Sequence, residues 1–104
     1  INSVIWGNLS SEIVFDTIQD AAITLNFDIR NCVIKRENPA TENYYSGIQW
    51  NLDPLFTDID INDFTFPISS PLNNEGNASF WIPTDILGIS RSLSTPDLGA
   101  YELP

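Results

Sequence analysis

Asn2-Ser-Val-Ile5 and Asn31-Cys-Val-Ile34 are two copies of one pattern. Asn matches Asn, small Ser matches small Cys, and Val-Ile matches Val-Ile, at an offset of 29 residues. A short strand recurring every 20 to 30 residues, roughly, is the sequence signature of a solenoid coil. Between the copies lie two more strand-like runs, Glu12-Ile-Val-Phe-Asp16 and Ala22 to Ile29. In the second, Ile23, Leu25, Phe27 and Ile29 alternate with mostly polar residues, the period of a half-buried strand. Three strands per repeat, with corners at Gly7-Asn8, Asp16-Thr17 and Asp28 or Arg30, describe one turn of a three-sided parallel β-helix. Equivalent strands would then stack at about 4.8 Å. The stacking pairs expected are Ser3 over Cys32, and either Val4 over Val33 or Ile5 over Ile34.

Outward from this pattern the chain changes character. Residues 36–47, rich in polar side chains, are expected to leave the coil as a surface insertion. From Gln49 onward turns dominate. Five of the seven prolines lie between residues 54 and 96. Proline cannot donate to a central ladder, so regular coils are not expected there. The expected organisation is one structural domain: coils over 1–50, then an irregular C-terminal cap over 51–104. The cap would cover the end of the last coil. The runner-up fold is a small antiparallel sandwich, but no Asn-Gly or Asp-Gly pair joins neighbouring strands as its hairpins require. No run has the character of an amphipathic helix; the nearest, Thr84 to Ser90, contains Gly88.

Composition bounds the chemistry. The 104 residues carry 14 acidic and 4 basic side chains, a net charge of −10, which repels nucleic acid and anionic lipid. There is no His, so the commonest general base and transition-metal ligand is missing. The single cysteine, Cys32, excludes an internal disulfide and reads as a small buried hydrophobe with no base beside it. No apolar stretch is long enough to span a bilayer. Asp53, Asp58, Asp60 and Asp63 fall close together. They could chelate Ca²⁺ or act as the acid and base of glycoside cleavage. Each adjoins a Pro, an Asn or a strand edge, so turn formation through nearby backbone N–H groups is the preferred reading. No catalytic residue, cofactor or metal ligand is therefore assigned. Trp50 and Trp81 are expected inside the cap. Trp6, Tyr44 and Tyr45 are the candidate contact residues for a glycan or a surface partner, with the Tyr pair exposed on the insertion. Asn8-Leu-Ser10 and Asn77-Ala-Ser79 match the N-glycosylation pattern.

The order of motifs in the C-terminal half resembles that of bacterial surface proteins of the choice-of-anchor Q family, which carry a right-handed parallel β-helix. The resemblance rests first on Asn51, Asp53, Pro54, Leu55, Phe56 and Asp58. It continues through Asp63, Phe64, Phe66, Ser70, Pro71 and Gly76. Thr84, Asp85, Gly88 and Arg91 follow, and the ending Pro96-Asp97-Leu98-Gly99-Ala100-Tyr101-Glu102 fits throughout. Asn2-Ser-Val-Ile-Trp-Gly-Asn8 resembles the strand preceding these motifs. Leu72, Asn73, Asn74 and Leu87 depart from the pattern, so no carboxylate role carries over at Asn74 or Leu87. The family has no catalytic residues to transfer. The resemblance implies the last one to two coils of the helix plus its cap, on the outside of a bacterial cell. The expected role is structural or binding. The rival roles are the end of a polysaccharide lyase or glycoside hydrolase with its active coils upstream, and an accessory subunit of an outer-membrane complex. Ile1 runs straight into a coil strand. Further coils or another chain are therefore expected against that end, with Ile1 inside a longer folded unit.

Overall fold

The computed structural model describes residues 1–15, 20, 22 and 26–104. Its core is a three-stranded sheet ordered β1 (Val4–Ile5), β2 (Ile29–Ile34), β3 (Tyr45–Trp50). Both pairings are parallel. Val4 lies beside Val33 and Ile5 beside Ile34, the offset of 29 read from the sequence. Both alternatives of the expected ladder are therefore realised, because the copies stack in one continuous register. The only antiparallel pairings among the described residues are two isolated bridges, Asp58 with Asp63 and Thr84 with Ser90. The sheet is thus parallel throughout, unlike the antiparallel sheets of a sandwich.

At equivalent register positions, ahead of β1 and inside β2 and β3, the backbone turns left-handed. Asn2 and Asn31 both sit at φ 51°, in the left-handed region that Asn tolerates best among residues with a side chain. Gly47 holds the equivalent place before Ile48-Gln49-Trp50, with φ 62°. A side chain there would also meet the Asn31 amide, whose Nδ2 lies 2.9 Å from the Cβ position. Gly at 47 therefore continues the Asn corner in a smaller form. The corners are tied together. Asn2 Nδ2 donates to the Asn77 carbonyl at 3.0 Å, Asn77 N donates to Asn2 Oδ1 at 2.8 Å, and Asn77 Nδ2 donates to Asn31 Oδ1 at 3.0 Å.

The second turn differs from expectation. From β2 to β3 the register offset is 16 residues, Ile29 pairing with Tyr45. That leaves no room for three strands. Residues 35–44 form the return connection, and Tyr45, Ser46 and Gly47, expected in the insertion, belong to β3. Trp50 is likewise a β3 residue and not part of the cap. In the first turn, Ile13, Val14 and Phe15 are outside any strand. Leu9 N donates to Glu12 Oε1 at 2.6 Å, which folds that segment into a turn. The corner at Asp16-Thr17 and the Ile23 and Leu25 positions lie outside the described residues.

Residues 51–104 are irregular, as the prolines and turn residues require. They hold two short 3-10 turns, Ile59–Ile61 and Ala78–Phe80. They pack across one face of the sheet. Val33, Phe66, Leu72 and Leu98 form a buried cluster, with Val4, Trp6, Phe56, Tyr101 and Leu103 packed around it. Gly99 N donates to the Asn2 carbonyl at 3.0 Å and Leu98 N to the Leu72 carbonyl at 2.9 Å. The contacts of this region thus reach the start of β1 and the Val33 face of β2, whereas the sequence places the cover over the end of the last coil. Gly76 is obligatory for local space: a Cβ there would lie 2.7 Å from the Pro96 carbonyl oxygen. No helix among the described residues is long and apolar enough to cross a membrane.

Candidate functional site

The carboxylates fall into two sets. Asp53 accepts Leu55 N at 2.9 Å, Asp58 accepts Asp60 N at 3.1 Å, and Asp63 accepts Thr65 N at 3.1 Å and Thr65 Oγ1 at 2.6 Å. These are turn-forming bonds between a short acid and the backbone two residues on. The Thr65 hydroxyl, then the Thr65 N–H, hold the Asp63 carboxyl below its ordinary value against the opposing push of burial.

The second set is a buried knot that the closing Pro96–Glu102 motif ties to Arg91. The Arg91–Glu102 pair is 3.1 Å long and both side chains are 5% exposed. Arg91 Nη1 also donates to the carbonyl of Asp97 at 3.1 Å, and Nη2 to that of Gly99 at 2.7 Å. Glu102 Oε1 accepts Ser92 N at 2.8 Å, and Oε2 accepts Asp97 N at 2.8 Å. Asp97 accepts Asn74 N at 2.6 Å and Leu103 N at 2.7 Å. Every carboxylate oxygen here is occupied by a backbone or guanidinium donor, so the knot is structural and leaves no acid free for chemistry.

Asp85 completes it. Its Oδ1 accepts Leu87 N and Ile89 N, both at 2.8 Å, and its Oδ2 accepts Glu102 N at 3.0 Å. Burial pushes this carboxyl up, but the N–H groups of Ile89, Glu102 and Leu87, with Arg91, outweigh it and hold it below its ordinary 3.8. A folded-state value below the unfolded one gives stability that is full above about pH 4 and lost as the pH falls through the folded value. The melting temperature is therefore expected to be level from about pH 7 to about pH 5 and to fall below about pH 4. Asp85→Asn should melt lower at neutral pH and show a shallower acid slope. Thermal melts followed by tryptophan fluorescence across that range check this.

The candidate contact residues separate in space. Trp6 is half-buried at the β1 side, with Lys35 Nζ 5.2 Å from its ring centroid. Trp6, Phe56 and Phe64 are shared by two adjoining apolar grooves of about 600 and 680 Å³. Leu55, Ile59 and Ile86 line them and are exposed. The grooves run beside the outer edge of β1. Ser3 and Ile5 turn their carbonyls to β2, accepting Val33 N at 3.1 Å and Lys35 N at 3.0 Å. By the alternation of a parallel ladder, Val4 turns its N–H and C=O to the side away from β2.

Tyr44 and Tyr45 lie elsewhere, at the start of β3. Both are half-buried, with ring centroids 4.9 Å apart. They belong to an aromatic run: Phe27 is 4.3 Å from Tyr44 and 4.8 Å from Phe15, and Trp50 is 5.1 Å from Tyr45. Burial, with the nearby Glu42 charge, pushes the Tyr44 hydroxyl up. Burial does the same to Tyr45 against the lowering pull of Arg36. A separate cleft of about 330 Å³ opens beside Phe27 and Tyr44. No sequence motif marks this run, because Phe15 and Phe27 reach Tyr44 from outside the strands.

Cys32 is 2% exposed and its thiol donates to the Arg30 carbonyl at 3.2 Å. It sits in the ladder as the small buried group its pattern required. Comparison with protein-family models, with curated proteins and with solved structures returned no match.

Proposed function

We propose that the chain is the terminal part of a right-handed parallel β-helix from a bacterial cell-surface protein of the choice-of-anchor Q type. Its role is structural or binding, not catalytic. The observation that carries this reading is the in-register stack of Val4 on Val33 and Ile5 on Ile34, entered in both copies through a left-handed Asn. The motif residues behind the resemblance support it, since each has a holding task. Asp53 and Asp63 close turns, Ser70 Oγ donates to the Pro54 carbonyl at 2.6 Å, and Asp85, Arg91, Asp97 and Glu102 make the knot. With no His in the chain and every knot carboxylate bonded, a scaffold fits better than an enzyme. The outer edge of β1 and its apolar grooves are where a further coil or another chain would stack.

Sedimentation of residues 1–104 tests this reading. The open edge should make the isolated chain associate with rising concentration. Ser3→Lys, which places a charge on that edge at an exposed position, should restore the monomer. A wild-type monomer with a sharp cooperative melt at all concentrations contradicts the open-solenoid reading. Turnover of acidic polysaccharides by these residues contradicts the non-catalytic one.

A further inference from the structure

The cleft at the start of β2 and β3 differs in chemistry from the apolar grooves. Two half-buried rings, Phe27 and Tyr44, line it, each also packed in the aromatic run. Its walls are polar and exposed: Asn26, Asp28, Arg30, Asn43 and Ser46. The polar lining residues supply amide, carboxylate, guanidinium and hydroxyl groups, so both donors and acceptors are present beside the rings. The cleft is held by the ladder. Arg30 pairs with Ser46 and Ile29 with Tyr45, and Ile29 N donates to the Tyr44 carbonyl at 2.8 Å.

Three ligand classes fit poorly. An apolar ligand would cover Asn26, Asn43 and Ser46 without giving them partners. A simple anion would have to displace Asp28 from its ion pair with Arg30. A polyanion meets a chain of net charge −10. A pyranose ring satisfies the remaining demands. Its C–H face covers an aromatic ring, and its hydroxyls both donate and accept along a rim of planar polar side chains. A paired Asp28 and Arg30 can each still make hydrogen bonds, and together they add no net charge. The volume of about 330 Å³ lies at the small end of ligand cavities, which suits a terminal or branching sugar unit better than a long buried chain.

We propose that this cleft binds a neutral sugar unit, stacked on Tyr44 and Phe27 and hydrogen-bonded by Asn43, Asp28 and Arg30. The proposal is independent of what stacks on β1, because the two places share no lining residue.

Affinity electrophoresis of residues 1–104 tests it, in gels containing hydroxyethylcellulose, α-mannan or polygalacturonate. Retardation by at least one neutral polymer and not by polygalacturonate is expected. Tyr44→Ala should weaken it about tenfold, while Tyr44→Phe, which keeps the ring, should retain it. Asn43→Ala, at an exposed position, provides a second loss variant if Tyr44→Ala does not fold. Leu93→Ala, at a side chain 75% exposed and outside the cleft, should leave binding unchanged. No retardation by either neutral polymer overturns the proposal. So does retardation by polygalacturonate alone, full binding by both loss variants, or loss of binding in Leu93→Ala.

Discussion

Arg91→Ala is expected to destabilise the chain by about 3–5 kcal/mol, the usual cost of leaving one member of a buried ion pair without its partner. Its guanidinium sits under the closing motif and bonds Glu102 at 3.1 Å and the carbonyls of Asp97 and Gly99. Removing it strands the Glu102 carboxylate in a site where the side chain is 5% exposed. It also frees carbonyls that the irregular backbone cannot pair internally. The loss should spread to β1, because Gly99 N holds the Asn2 carbonyl at 3.0 Å. Urea denaturation followed by fluorescence measures it. Trp81 is a local reporter, since its Nε1 donates to the Arg91 carbonyl at 3.3 Å. A midpoint unchanged from wild type would mean that the knot is not a structural centre.

Leu98→Ala should cost about 2–5 kcal/mol through lost burial and an unfilled cavity. Leu98 is 1% exposed and meets Val33, Phe66 and Leu72. That cluster is the main junction between the sheet and residues 51–104 in a chain whose strands are short. The cavity would be poorly healed, because Leu98 N is fixed to the Leu72 carbonyl at 2.9 Å and cannot slide inward. By contrast Leu93→Ala, at a side chain 75% exposed, should fall within about 0.5 kcal/mol of wild type. Equilibrium unfolding of the two variants side by side makes the comparison.

The first two strands were legible because their physics is local. A left-handed corner favours Asn, the ladder favours small and β-branched residues, and both demands recur at Asn2-Ser-Val-Ile5 and Asn31-Cys-Val-Ile34. The third strand was hidden because its corner uses Gly47 and its ladder uses Ile48, Gln49 and Trp50. No residue type repeats, although the backbone does. Proline and Asp marked the last half as turns, and those turns are present. Which carboxylates would gather was not visible, since Asp85, Asp97 and Glu102 meet through the path of an irregular backbone around one arginine and not through a periodic pattern. The groove has the same origin: Trp6, Phe56 and Phe64 come from distant places and share no pattern. Ring chemistry alone groups Trp6, Tyr44 and Tyr45 as one contact set. Folding divides them between the groove and the aromatic run.

The parallel stack itself is tested most directly by NMR couplings across its hydrogen bonds. Three are diagnostic of the register: Val33 N to the Ser3 carbonyl at 3.1 Å, Lys35 N to the Ile5 carbonyl at 3.0 Å, and Asn51 N to the Ile34 carbonyl at 2.9 Å. Through-bond couplings should appear for all three donor–acceptor pairs in the full chain. Their absence, with couplings linking the same amides to carbonyls in an antiparallel order, would contradict the parallel stack on which the functional reading rests.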